Sequence, residues 1–263
     1  MLVVLDVGNS NMVMGVFDGD TFRGPWRLMT SEHRTSDEMR VVMLSLLRLE
    51  GIDPDAVTGC GISSVVPPIN HALDQACREA FHVQPLFVGP GVRTGLVIQV
   101  ENPKEVGADR IVNAVGAMAA YPGPLIIIDF GTATTLDAIT EKGEYRGGVI
   151  VPGVQISADA LFERCAKLPH VEISVPEHVI GRNTVNHIRS GLTYGYADLV
   201  DGLVGRISEE MDLGGHDRPT VVATGGLAPL ISGIARRIDH VDLLLTLNGL
   251  RIVFQKNAKE PGA

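Results

Sequence analysis

The chain has 263 residues, enough for one large domain or two modest ones that bury a core without a metal or disulfide staple. With 45% hydrophobic and 20% charged residues it lies outside the disordered class, and a net charge of -9 argues against a nucleic-acid partner, whose affinity comes from Lys and Arg displacing counterions. No apolar run is long enough to span a bilayer, and Met1 is followed by neither a basic region nor a cleavage-site pattern, so a cytoplasmic protein with no membrane partner is expected.

The first element along the chain is an apolar strand, Leu2-Val3-Val4-Leu5. It runs into the turn Asp6-Val7-Gly8-Asn9-Ser10-Asn11 and out through Val13-Met14-Gly15-Val16-Phe17 to Asp18-Gly19, which is a hairpin pattern. A helix follows. Ser36 is placed to cap it, and Asp37 and Glu38 suit the positive end of its dipole. Met39, Val42, Met43, Leu46 and Leu47 then recur at spacings of three and four until Gly51 stops the run. Val57 to Val66 reads as a buried strand broken by Pro67-Pro68, and Ala108 to Ala120 as a second helix closed by Pro122-Gly123.

The hairpin pattern then returns. Leu125-Ile126-Ile127-Ile128 enters Asp129-Phe130-Gly131-Thr132-Ala133-Thr134, and Leu136-Asp137-Ala138-Ile139 leads to Lys142-Gly143, with aspartate and glycine in the positions they hold in the first copy. Ile188, Leu192, Leu199, Leu203 and Ile207 mark a long helix, and Thr220-Val221-Val222-Ala223 a strand entering Thr224-Gly225-Gly226. From Gln255 to Ala263 the apolar period is lost and fraying is expected. The simplest organisation is a duplicated α/β chain, with one lobe over residues 1–118 and the other over 119–263, closely packed because no low-complexity linker separates them.

Cys60, Cys77 and Cys165 lack CxxC spacing and are expected to be reduced core residues, and the eight histidines show neither HxxxH nor HExxH spacing, so no zinc site is expected. An Asp-x-Gly turn suits a phosphate group, because glycine lets the main chain approach the anion, neighbouring N–H groups can point at its oxygens, and the carboxylate can hold a hydrated cation. One such turn alone is more often an ordinary hairpin. Two copies, followed by a glycine pair after a strand and before a helix, point to a nucleotide. By itself Gly107-Ala108-Asp109-Arg110 reads either as a helix start with Asp109 near the positive end or as the source of an acceptor carboxylate.

In this order, Asp6 to Asn11, Asp129 to Thr132 and Thr224-Gly225-Gly226 resemble the first phosphate, second phosphate and adenosine loops of the superfamily of acetate and sugar kinases, heat-shock ATPases and actin. With Asn102-Pro103, Glu105 to Arg110, Gly147 to Gly153 and Gly181-Arg182-Asn183-Thr184 added, nearly the whole chain resembles type III pantothenate kinase. The resemblance implies two duplicated ribonuclease H-like (actin-like ATPase) lobes of α/β type with a central cleft. It implies transfer of the γ-phosphoryl group of ATP to pantothenate, giving 4'-phosphopantothenate in the first step of coenzyme A biosynthesis.

By the same resemblance, Asp6, Val7, Gly8, Asn9, Ser10, Asn11, Met12 and Val13 line the ATP phosphates and Thr132 adds a hydroxyl. Gly107, Ala108, Asp109 and Arg110 hold pantothenate, with Asp109 as the base, and Thr184 reaches the substrate across a homodimer interface. Asp129 binds a monovalent cation, K+ or NH4+, and Mg2+ accompanies the nucleotide. The family often places an aromatic residue shortly before the Asn-Pro pair, where this chain has Val100. Two other readings use the same loops. One is a phosphohydrolase acting on polyphosphate or an alarmone, with water in place of the hydroxyl. The other is a non-enzymatic accessory factor for transcription, against which the acidic charge and the lack of a helix-turn-helix pattern weigh.

Overall fold

Residues 1–211, 213 and 215–258 are described by the computed structural model, and the chain divides into two units. In chain order the elements are β1 (Leu2–Val7), β2 (Asn11–Asp18), β3 (Thr21–Met29), α1 (Ser36–Leu49), β4 (Gly59–Ser64), α2 (Asn70–Phe81), β5 (Leu86–Phe87), β6 (Val97–Ile98), α3 (Ala108–Ala120), β7 (Leu125–Phe130), β8 (Ala133–Ile139), β9 (Glu144–Pro152), α4 (Val154–Arg164), α5 (Thr184–Glu210), β10 (Thr220–Thr224), α6 (Ala228–Ser232), β11 (His240–Val241) and α7 (Leu245–Asn257). The first unit takes Met1–Gly95, Asn102–Gly116 and the chain from Thr246 on; the second takes Leu96–Glu101 and Ala117–Leu245.

In the first unit the sheet order is β3-β2-β1-β4-β5, antiparallel on the hairpin side and parallel from β1 through β4 to β5. The centre of the sheet is buried on both faces, which is why Leu2 to Leu5 is a continuous apolar run rather than an alternating one. Cys60 and Ile62 of β4 share a core with Met39, Met43 and Leu47 of α1 and Leu73, Cys77 and Phe81 of α2. Strand side chains alternate, so Gly59 and Gly61 face the other way, and there α7 lies. A Cβ at Gly61 would stand 3.5 Å from Leu250, one at Gly15 would stand 3.4 Å from Leu247, and one at Gly59 would overlap the Phe254 ring. The absent side chains make the floor on which α7 rests. The helix also meets α3 through Gly249, whose α-carbon leaves no room for a Cβ beside the Val112 carbonyl.

The cap of α1 lies one residue earlier than the sequence suggests. Thr35, not Ser36, is the N-cap: its hydroxyl accepts from the Glu38 N–H at 3.3 Å while its own N–H donates to Glu38 Oε2 at 2.8 Å, forming a capping box.

The second unit repeats the arrangement. Its sheet order is β11-β10-β7-β8-β9-β6, so β7 through β11 reproduce the neighbours and directions of β1 through β5, and β6 is an addition paired parallel to β9. Ile126, Ile128, Leu136, Val221 and Ala223 are covered by Ile188, Leu192, Val200 and Val204 of α5, Val154 and Ala158 of α4, and Ala228 and Ile231 of α6.

Apart from a two-residue shift of the boundary to Gly116, these units differ from a division at residue 118 in two places. Leu96–Glu101 joins the second sheet because β6 finds an edge on β9, and the end of the chain returns to the first unit because the apolar stripe of α7 matches the glycine floor of β4. The expected fraying from Gln255 is corrected in the same way. Gln255, Lys256 and Asn257 form the last turn of α7, where Lys256 Nζ donates to the Thr94 carbonyl at 2.9 Å and the Asn257 amide bonds both the N–H (2.9 Å) and the carbonyl (2.8 Å) of Arg93. Residues 259–263 lie outside the described residues.

Only two of the cysteines are core residues. Cys60 and Cys77 are fully buried with their sulfurs 3.7 Å apart, and the hydrogen bond that the Cys60 thiol donates to Cys77, together with burial, pushes that thiol well up. Cys165, expected in the core, is exposed at the end of α4, because only Val154 and Ala158 near the start of that helix are buried and its last turn is exposed. A thiol reagent should therefore label one cysteine in the native protein and all three in denaturant, which intact-mass measurement reads directly.

Candidate active site

The turn between β1 and β2 sits where the apolar run of β1 ends. Asp6 pairs with Val13 across the hairpin and with Ser63 in β4, and the Gly8 N–H donates to the Asn11 carbonyl at 3.0 Å. Asn9, Ser10 and Asn11 are exposed, whereas the side chains of Val7 and Met12 are 1% exposed and serve the core. Of the expected phosphate-lining residues, those two can offer only main chain. A Cβ at Gly8 would stand 3.2 Å from the Asn11 carbonyl oxygen, so the tight turn favours glycine there.

Asp109 stands on the second residue of α3. Its carboxylate accepts from the Arg110 N–H at 2.8 Å and lies over Gly107, where a Cβ would overlap it and would be 3.5 Å from Val65 Cγ1. Val65 in turn follows β4 and donates its N–H to the Val7 carbonyl at 3.0 Å, one residue before Gly8. One corner of the first unit thus gathers the Asp6 to Asn11 turn and the Gly107 to Arg110 segment at the carboxyl ends of the parallel strands β1 and β4, where ligands sit in open α/β sheets. Burial holds the Asp109 carboxyl above the usual carboxylate range, opposed in part by the Arg110 N–H and guanidinium.

The second unit builds its own corner. Asp129 pairs with Thr224 across the parallel β7–β10 ladder, and Gly225 follows with φ of +93°. A Cβ at Gly225 would stand 2.6 Å from the Phe130 carbonyl oxygen and 2.7 Å from Asp129 Oδ1, so the glycine turn closes directly on the Asp129 to Thr132 turn. The Gly153 N–H donates to the Thr132 carbonyl at 3.1 Å, tying the end of β9 to the same loop. The Gly225 turn thus packs against the Asp129 carboxylate, and a carboxylate oxygen is the kind of donor a hard cation takes.

Thr184 opens α5 as an exposed residue, behind the N-cap Asn183, whose side chain accepts from the Asn186 N–H at 2.9 Å. The preceding strand-free segment is held to α5 by Ser190 Oγ on the Val179 carbonyl (2.6 Å), Tyr194 on Pro176 (3.2 Å) and His187 against Gly181 (3.0 Å). Val100 stands 3.6 Å from where a Gly147 Cβ would project. Motif reasoning missed Val65 and Thr30, which contact the first corner: neither lies in a motif, and each gains its partner only once the sheet has formed.

A family model described as type III pantothenate kinase matches residues 2–206. The chain belongs to the type III pantothenate kinase family. A type III pantothenate kinase of Anaeromyxobacter sp. (strain Fw109-5) is 52% identical over 257 residues, covering 98% of this chain and 100% of that protein. One from Geobacillus kaustophilus (strain HTA426) is 50% identical over 262 residues, covering all of both.

Solved structures share the fold at much lower identity. Component A of the (R)-2-hydroxyglutaryl-CoA dehydratase of Acidaminococcus fermentans aligns with a TM-score of 0.55 at 13% identity, over 98% of this chain and 99% of that one. The ethanolamine utilization protein EutJ of Carboxydothermus hydrogenoformans aligns with a TM-score of 0.55 at 14% identity, over 95% and 89%.

Proposed function

We propose that the protein transfers the γ-phosphoryl group of ATP to the primary hydroxyl of pantothenate, giving 4'-phosphopantothenate and ADP for coenzyme A biosynthesis. The observation that supports this most is the half-buried Asp109 carboxylate, set over Gly107 beside the strand ends that carry the first phosphate loop. Phosphoryl transfer asks little covalent chemistry of a protein and much positioning and charge compensation. Asp6 to Val13 would line the phosphates, with the hydroxyl of Thr132 added to them, and Gly107, Ala108 and Arg110 would hold pantothenate. Asp109 accepts the hydroxyl proton as the oxygen attacks the γ-phosphorus and ADP departs. A carboxyl raised by burial is a stronger base than a solvated one, which suits that task.

Asp129, with the Phe130 carbonyl beside it, would hold the monovalent cation, K+ or NH4+, and Asp6 fits a hydrated Mg2+ on the nucleotide. When bound, these ions offset the negative charge of the triphosphate. The same proposal includes a cytoplasmic homodimer in which Thr184 reaches the substrate across the interface. Val179 and Ile180, 61% and 84% exposed close to Thr184, are the kind of uncovered apolar residues an interface would use.

The test is ADP release by the purified protein with ATP, Mg2+ and K+. It should depend on added pantothenate. ADP and phosphate release in the absence of any organic acceptor would point to a phosphohydrolase instead.

A further inference from the structure

Thr30 follows β3 and has no role in the mechanism above. Its hydroxyl donates to the Gly8 carbonyl at 2.8 Å and its N–H donates to the Ser10 carbonyl at 3.0 Å, so one residue holds two carbonyls of the first phosphate loop. The Gly8–Asn9 and Ser10–Asn11 peptides are trans. In a planar trans peptide the carbonyl of one residue and the N–H of the next point in opposite directions. Fixing the carbonyls of Gly8 and Ser10 toward Thr30 therefore aims the N–H groups of Asn9 and Asn11 the other way.

The sheet order says which way that is. Thr30 extends β3, β3 lies beyond β2, and β4 lies on the far side of β1. The amides are turned away from β3, toward the side on which β4 ends in Val65 and Asp109 lies over Gly107. Asn9 and Asn11 are exposed residues of the turn. Thr30 is β-branched and stiff about χ1, and the Asn11–Met29 pairing brings it alongside the turn.

We propose that Thr30 is a positioning residue for ATP, which pre-sets two main-chain N–H donors of the first phosphate loop; the inference rests on the reading of Asp6 to Val13 as that loop. It acts through the loop and touches no reacting atom.

Thr30→Val keeps the shape and the backbone bond to Ser10 and removes only the hydroxyl. It should raise KM for ATP and Kd for ADP by about tenfold, the size of one hydrogen bond to a charged group. KM for pantothenate, binding of adenosine and the melting temperature should stay at their wild-type values, and Thr30→Ser should restore ATP affinity. Thr30→Ala carries the same expectation should valine pack poorly. Equal weakening of ADP and adenosine, or loss of affinity only in step with melting temperature and without rescue by serine, would reduce Thr30 to a structural residue and overturn the proposal. So would an unchanged KM for ATP in a wild-type protein that binds ATP. A wild-type protein that binds no ATP at all would instead remove the phosphate-loop reading itself, which separates the two failures.

Discussion

Asp109→Asn is expected to reduce turnover by about a hundred- to ten-thousand-fold, the range for loss of a general base, while ATP affinity and melting temperature hold or improve. The stability half follows from the raised carboxyl. Where the folded value lies above the unfolded one, the native state binds more protons than the unfolded state, so stability falls as pH rises through the interval between the two. At neutral pH the ionised carboxylate opposes folding, and an amide of the same shape relieves that. Turnover has the opposite dependence, because the base must be ionised to accept a proton. Its acid limb should lie above the usual carboxylate range and should vanish in the variant. Rate profiles against pH and thermal melts at neutral pH check both halves. Near-normal turnover would remove Asp109 as base, and a lowered melting temperature would make its bond to the Arg110 N–H a structural anchor instead.

Gly249→Ala is expected to destabilise the protein by about 3 kcal/mol, the upper part of the range for overpacking. The new methyl would overlap the Val112 carbonyl and stand 2.7 Å from its carbon and 3.0 Å from the Gly116 nitrogen. All three atoms are main chain of α3 and cannot rotate aside, so the two helices must separate. Val112 is one turn from Asp109, and a shift of α3 should lower turnover even well below the melting temperature. Gly191→Ala on the exposed side of α5 is the matched control. Nothing lies within 4 Å of its Cβ, and alanine there should stabilise by about 0.5–1 kcal/mol. Calorimetric melts of the pair separate the packing effect from helix propensity, and equal behaviour of the two variants would refute the close-approach argument.

The parts of the fold legible in the sequence were those with a strong period or a distinctive turn. Both hairpins, α3 and β10 stand where the apolar runs and Asp-x-Gly turns put them, and α5 is longer at both ends than its apolar markers. α2 escaped notice because much of its buried face is small: Ala76, Cys77 and Ala80 alternate with only Leu73 and Phe81 as large markers. The cap of α1 falls on Thr35 rather than on the expected Ser36, because only Thr35 stands three residues before Glu38 and can close the capping box.

The return of α7 to the first unit depends on a surface, the glycine floor of β4, that exists only after the sheet has formed. The same holds for the candidate site. Asp109 was reached through family resemblance, while its burial and its link through Val65 to the end of β1 are products of packing. Thr30 belongs to no motif and acquires meaning from two hydrogen bonds across the sheet.

Most of the second unit, Ala117–Leu245, is an insertion between α3 and the closing helix of the first. During synthesis the ribosome therefore delivers the whole inserted body before the nascent amino-terminal sheet receives its lid. Until α7 emerges, the backbone strip along Gly59 and Gly61 lacks the cover that Leu250 and Phe254 give it. Completion of the earlier-made body is thus timed by the emergence of α7.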